Sequence, residues 1–147
     1  MSRGLELVRR LAAVRERQAR RDFADRVADL ARAEAALSGL DKERERVRAE
    51  LSGQARAGMG VDPMADAYRY LDVLARRVDD AASGCVRQRD ALRKAEDIWV
   101  NARHNLQGME TVIARRLASL RADRERRGQR ALDDLHALAR RGYMEVE

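Results

Sequence analysis

Leu71, Val78, Cys85, Leu92, Trp99, Leu106, Ile113 and Leu120 recur every seven residues without a gap. Leu74, Ala81, Ala95, Ala102 and Met109 supply a companion three residues after most of them. An apolar spacing averaging about 3.5 residues over roughly seven heptads keeps one stripe of a long helix turned toward a partner, the pattern of a coiled coil. A weaker version runs upstream. Phe23, Leu30, Leu37 and Leu51 keep the sevenfold spacing, with Leu5, Ala12, Ala19, Ala33, Leu40 and Val47 as companions. Arg9, Glu16, Arg26 and Arg44 interrupt this stripe. Two readings stand for these four: long side chains lie across the seam with their heads in water, or isolated polar seam residues fix register or meet a partner.

Between the two patterns lies Ser52-Gly53-Gln54-Ala55-Arg56-Ala57-Gly58-Met59-Gly60-Val61-Asp62-Pro63, which holds three glycines and the sole proline. This punctuation predicts a loop over 53–63, with Asp62 capping the next helix and Pro63 at its first position. Helix 1 is expected over about 4–52 and helix 2 over about 64–140. A short loop makes the two antiparallel neighbours. The fold class that follows is all-α: a single long two-helix antiparallel coiled-coil hairpin over residues 1–147, with an overhanging C-terminal helix end.

One register pairs Val47 with Leu71, Leu37 with Ala81, Phe23 with Ala95, Ala19 with Trp99 and Ala12 with Leu106, so that large repeatedly meets small. A register shifted by one heptad pairs Phe23 with Ala102 and Ala19 with Leu106, and sets Arg9 opposite Arg116, which disfavours it. At 1.5 Å per residue helix 1 spans ~75 Å and helix 2 ~115 Å. The first register places Leu5 near Ile113, so helix 2 beyond about Arg116 has no helix 1 beside it. That stretch carries Arg115, Arg116, Arg121, Arg124, Arg126, Arg127 and Arg130 against Asp123 and Glu125, then turns amphipathic through Leu132, Leu135, Leu138 and Ala139. A lone helix in water needs a face to bury, so this end is expected to enter something. Gly128 weakens it by ~1 kcal/mol relative to Ala.

Composition agrees with long helices rather than a globule: charged residues are 38% and aromatic residues 3% of the 147. The net charge is +6, and all basic residues but Lys42 and Lys94 are arginine, which favours anionic partners. Acidic residues are interspersed, unlike a basic nucleic-acid tail. A single cysteine excludes an internal disulfide and fits a reducing compartment. No apolar run reaches the ~18 residues needed to span a bilayer, and the charged start, Met1-Ser2-Arg3-Gly4-Leu5-Glu6, is unlike a signal peptide. The chain reads as cytosolic.

Catalysis needs convergent groups, and none converge here. His104 and His136 are 32 residues apart on one helix, about 48 Å, and cannot share a metal. Cys85 sits on the seam and reads as a small buried residue. The glycines at 53–60 lack the strand, lysine and hydroxyl of a phosphate loop. No metal, cofactor or enzymatic activity is expected. Trp99, also a seam residue, is too large to be hidden fully between two helices. Tyr68 and Tyr70 at the start of helix 2 point partly outward, which suits either anchors for a protein partner or a cover for the loop.

Leu7-Val8-Arg9-Arg10-Leu11, Val14-Arg15-Glu16-Arg17, the glycine-bearing loop, Tyr70-Leu71-Asp72-Val73-Leu74 and Leu132-Asp133-Asp134-Leu135 together resemble the flagellar FliJ and injectisome SctO (YscO) family. The resemblance covers nearly the whole chain in layout and composition. It implies a cytoplasmic stalk protein of a type III export apparatus, similar in its hairpin to the central shaft of rotary ATP synthases. The end with both termini would enter the hexameric export ATPase, through Arg116, Arg121, Arg124, Arg126, Arg127, Arg130, Leu132 and Leu135. The loop-proximal end would meet the cytoplasmic domain of the export-gate membrane protein at the inner membrane, through Tyr70 and Leu74, which match an aromatic-x-x-x-Leu pattern. Arg77 and Ala81 depart from the flagellar pattern where further contacts would follow. Export chaperones are further implied partners; nucleic acid and membrane insertion are not. The rival functions are a generic coiled-coil scaffold and a nucleic-acid-associated basic coiled coil, whose binding would weaken steeply with salt.

Overall fold

The computed structural model describes residues 3–146, without the side chain of Val146; Met1, Ser2 and Glu147, which fall within the hairpin expected over 1–147, lie outside the described residues. Two helices, α1 (Arg3–Arg56) and α2 (Val61–Val146), make up nearly all of it, and no strand occurs among the described residues. The long helices pack against each other as an all-α hairpin. Their lengths, 54 and 86 residues, reproduce the expected inequality.

The connection is shorter than the expected 53–63. Helix 1 runs on past residue 52, and the turn is confined to residues 57–60. Gly58 has φ +88°, the left-handed conformation that glycine adopts without a Cβ clash. The Met59 N–H donates to the Gln54 carbonyl at 3.1 Å and the Gly58 N–H to the Ala55 carbonyl at 3.4 Å. These two bonds close a Schellman motif with Gly58 at the position after the cap. Gly53 is therefore carried inside the helix at a cost of about 1 kcal/mol, because the true stop comes five residues later.

Helix 2 likewise starts earlier than 64. The Met64 N–H bonds to the Gly60 carbonyl at 3.2 Å, which makes Gly60 the capping residue and Val61 the first helical position. Asp62 and Pro63 then stand second and third in the first turn, not at the cap and first position as the sequence suggested. A proline costs no hydrogen bond anywhere in that turn, since its N–H groups have no intrahelical partner. Asp62 there still favours the positive end of the helix.

Two compact units are distinguishable, Arg17–Asn101 and Met1–Glu16 with Ala102–Glu147. Within Arg17–Asn101, the core is the seam: Ala19, Val47 and Leu51 from α1 with Leu74, Val78 and Cys85 from α2 are buried. Leu74 and Cys85 are 1% exposed, so the cysteine is enclosed as a small apolar residue. Phe23 and Trp99 stack with centroids 5.3 Å apart and an interplanar angle of 20°. The expected arrangement set each ring against an alanine. Side chains on a helix lean toward its N-terminus, so in an antiparallel pair Phe23 and Trp99, one turn apart, lean toward each other. Stacking then adds about 0.5–1.5 kcal/mol beyond burial.

Polar residues also enter this seam. Arg44 is half-buried; its Nη2 donates to Asp41 at 3.1 Å, one turn back, while its Nε is buried without a hydrogen-bond partner. Gln88 fills the heptad gap between Ala81 and Ala95, and its Oε1 is likewise buried and unbonded. Arg26, by contrast, is exposed and reaches toward Asp29 at 3.9 Å.

In the other unit, Leu5 and Ala12 of α1 and Ala102, Leu106 and Met109 of α2 are half-buried, and Ile113 is buried. Arg9 lies across the seam and is held by Glu6, with Arg9 Nε to Oε2 at 3.2 Å. That bond holds the Glu6 carboxyl below the usual range, and Glu6 together with the charge of Glu110 raises Arg9 further above its ordinary value. A carboxylate of α2, Glu110, thus acts on Arg9, which fits the first of the two registers.

Candidate partner-binding surfaces

From Ala114 to Glu145 every residue of α2 is exposed except Asp123, which is half-buried. The change is abrupt because α1 supplies no further seam residues before Leu5, while the apolar stripe of α2 continues without a covering helix. Leu117, Leu120, Leu132, Leu135 and Leu138 are all open to solvent, Leu135 by 61%. Arg116, Arg121, Arg124, Arg126, Arg127 and Arg130 are exposed among them. Arg126 is tied to Asp123 one turn back, and Gln129 donates to Asp133 at 3.2 Å. All eight residues expected to contact an ATPase ring therefore lie on one uncovered helix end. Seven arginines against two carboxylates over 115–130 give it a positive field.

Two further features of these ends are not anticipated by the seam pattern. Tyr143 and Met144, at 75% and 80% exposure, extend the apolar stripe nearly to the end of α2. At the start of α1, Leu7, Leu11 and Val14 form a second exposed apolar stripe on the side away from Leu5 and Ala12, with Val8 exposed between the two. Its i, i+4, i+7 spacing is legible in the sequence but lies off the heptad seam.

The loop-proximal surface is built differently. Tyr70 is 41% exposed, and its hydroxyl donates to Glu43 Oε1 of α1 at 3.1 Å. Glu43 also accepts from Arg46 at 2.7 and 3.0 Å. Arg46 chiefly, and then the Tyr70 hydroxyl, hold the Glu43 carboxyl below its ordinary range against the opposing effect of burial. Tyr68, two residues earlier and so on another face of α2, is exposed and lines a shallow groove with Leu51 and Leu71. Leu74, expected as a contact together with Tyr70, is shut inside the seam. Of that pair Tyr70 offers surface, and Leu74 holds the helix face on which Tyr70 stands.

No group of three or more metal-ligating side chains converges among the described residues, and His104 and His136 are both exposed on α2. No helix is long and apolar enough to cross a membrane, among the described residues. What the geometry defines is an all-α helical hairpin with exposed apolar and arginine-rich surfaces. The sequence profile described as flagellar FliJ protein matches residues 1–144, and the chain belongs to that family. It is a stalk protein of the flagellar, type III export apparatus and not an enzyme. Comparison with curated proteins and with solved structures gives no match.

Proposed function

We propose that this stalk works by inserting the bare end of α2 into the hexameric export ATPase while its loop-proximal end engages the export gate. The observation that carries this reading is the arm itself: a helix end with exposed leucines and seven arginines that nothing among the described residues covers. A ring of six subunits offers six equivalent acceptor surfaces, and a stiff asymmetric helix engages some of them at a time. Such an axle biases ring assembly and coordinates hydrolysis without catalysing it. Arg116, Arg121, Arg124, Arg126, Arg127 and Arg130 meet acidic residues of the lumen by salt-sensitive attraction, and Leu132 and Leu135 bury against its walls. At the other end Tyr70 and Tyr68 are the contacts to the cytoplasmic domain of the gate protein, with Leu74 as their packed support. Work at the cytoplasmic face of the inner membrane follows, with export chaperones as further cargo.

The test is replacement of Arg124, Arg126, Arg127 and Arg130 by Glu. Stimulation of the export ATPase should be abolished while helix content and melting temperature hold, because all four side chains are exposed. Stimulation equal to that of the unaltered chain would remove the axle assignment.

A further inference from the structure

The first turns of α1 are apolar on two sides. Leu5 and Ala12 face the seam, where both are half-buried, with Val8 exposed at its edge, and Leu7, Leu11 and Val14 stand exposed on the other side. A helix of a coiled coil needs one such stripe; a second, left bare, is a surface for another helix. The charges around it are one-sided. Arg3, Arg10, Arg15 and Arg17 are exposed about this stripe, against two acids in the segment, Glu6 and Glu16, both half-buried. Glu6 is further engaged by Arg9 and Arg10.

From this we infer that the outer face of α1 from Leu7 to Val14 docks an acidic amphipathic helix of a partner protein, which lies along α1 as a third helix. Its apolar residues pack on Leu7, Leu11 and Val14, and its carboxylates meet the surrounding arginines. Charge complementarity selects this occupant. A second copy of the chain would bring the same arginines against themselves. An anionic lipid surface would match the charge, but the stripe carries aliphatic residues and no Trp, Tyr or Phe of the kind that settles at a membrane interface. This site lies on α1, outside the arm of α2, and its binding test reads no ATPase stimulation.

The experiment uses the full chain carrying the four arm reversals to Glu, so that the arginine-rich end of α2 does not compete. The ligand is a labelled synthetic helix of three heptads, with Leu at the first and fourth positions and Glu and Ala elsewhere. A counterpart carries Lys for Glu, and vesicles of phosphatidylserine with phosphatidylcholine form the third arm. Anisotropy should show saturable binding of the acidic peptide, weakened roughly tenfold or more by Leu7→Asp with Leu11→Asp, and again by Arg10→Glu with Arg15→Glu. All four positions are exposed, so circular dichroism should show unchanged helix content in both variants. Equal binding of the lysine peptide overturns the inference. So does binding indifferent to these substitutions, binding to vesicles in place of the peptide, or a concentration-dependent dimer abolished by Leu11→Asp. Loss of ATPase stimulation in the arm-reversed chain with peptide binding intact would uphold both proposals separately.

Discussion

Two stretches of α2 share one apolar rhythm and have opposite surroundings. From Leu71 to Ile113 the stripe is half-buried or buried; from Ala114 to Glu145 the same kind of stripe is open to solvent. In the first, leucines stabilise the hairpin. In the second they contribute nothing to it, and they are kept beside arginines that would oppose self-association. Apolar periodicity alone therefore does not tell stability from function. What separates the two stretches is whether α1 has residues to offer opposite them, and that is a matter of helix length.

The largest expected effect sharpens this contrast. Leu74→Ala should destabilise the hairpin by about 2–4 kcal/mol, as for a fully enclosed leucine. Leu135→Ala, with most of its side chain already wet, should change stability by less than about 0.5 kcal/mol. Urea unfolding followed by circular dichroism measures both. A comparable loss in the two variants would mean that the arm is buried in the free protein, and the division drawn above would fail.

Next in size is the ring stack. Phe23→Ala should cost about 1–3 kcal/mol, combining lost burial with the lost stacking on Trp99, and should shift the emission of Trp99, the only tryptophan. Unaltered emission would place the two rings apart. Smaller, and opposite in sign, is Gln88→Leu. Its buried, unbonded Oε1 costs roughly 1–3 kcal/mol of desolvation, so an apolar residue there should raise stability by about 1 kcal/mol in the same unfolding assay. A loss would point instead to Gln88 as a residue that fixes register.

The fold was legible because a heptad stripe of this length admits few alternatives. Helix ends were less so. Gly53 and Pro63 read as punctuation, yet an exposed glycine is affordable inside a long helix and a proline is harmless throughout a first turn, so the real boundary fell on Gly58 and Gly60. The stack of Phe23 on Trp99 escaped because pairing by layer ignores the lean of side chains along their helices. Among the surface residues, the arginine arm could be located from charge and helix length alone. The outer stripe of Leu7, Leu11 and Val14 lay in plain view but off the seam. The burial of Leu74 was implicit in its own heptad position, which conflicts with a role as a direct contact. The Tyr70 bond to Glu43 depends on register and could not be read from spacing.

The smallest expected effect concerns that last bond, and it tests whether the loop-proximal surface is ordered in the way the seam is. Glu43 has a lowered folded value, so its contribution to stability is present above its unfolded value and fades as pH falls through the folded one. Arg46 is the larger cause and Tyr70 a lesser one. Titration of the Glu43 carboxyl by NMR between about pH 6 and pH 2 should therefore show its midpoint rising toward the ordinary carboxylate value in Arg46→Met, and rising less in Tyr70→Phe. The acid-side loss of thermal stability should shrink in the same order. Tyr70→Phe keeps the ring and its exposure but unties it from α1, so it also separates a contact role from a clamping one. If gate binding survives the lost hydroxyl while the Glu43 titration moves, the ring is the contact and the bond only steadies it. A larger shift in Tyr70→Phe than in Arg46→Met would show that the bond between helices, and not the clip within α1, governs this end of the hairpin.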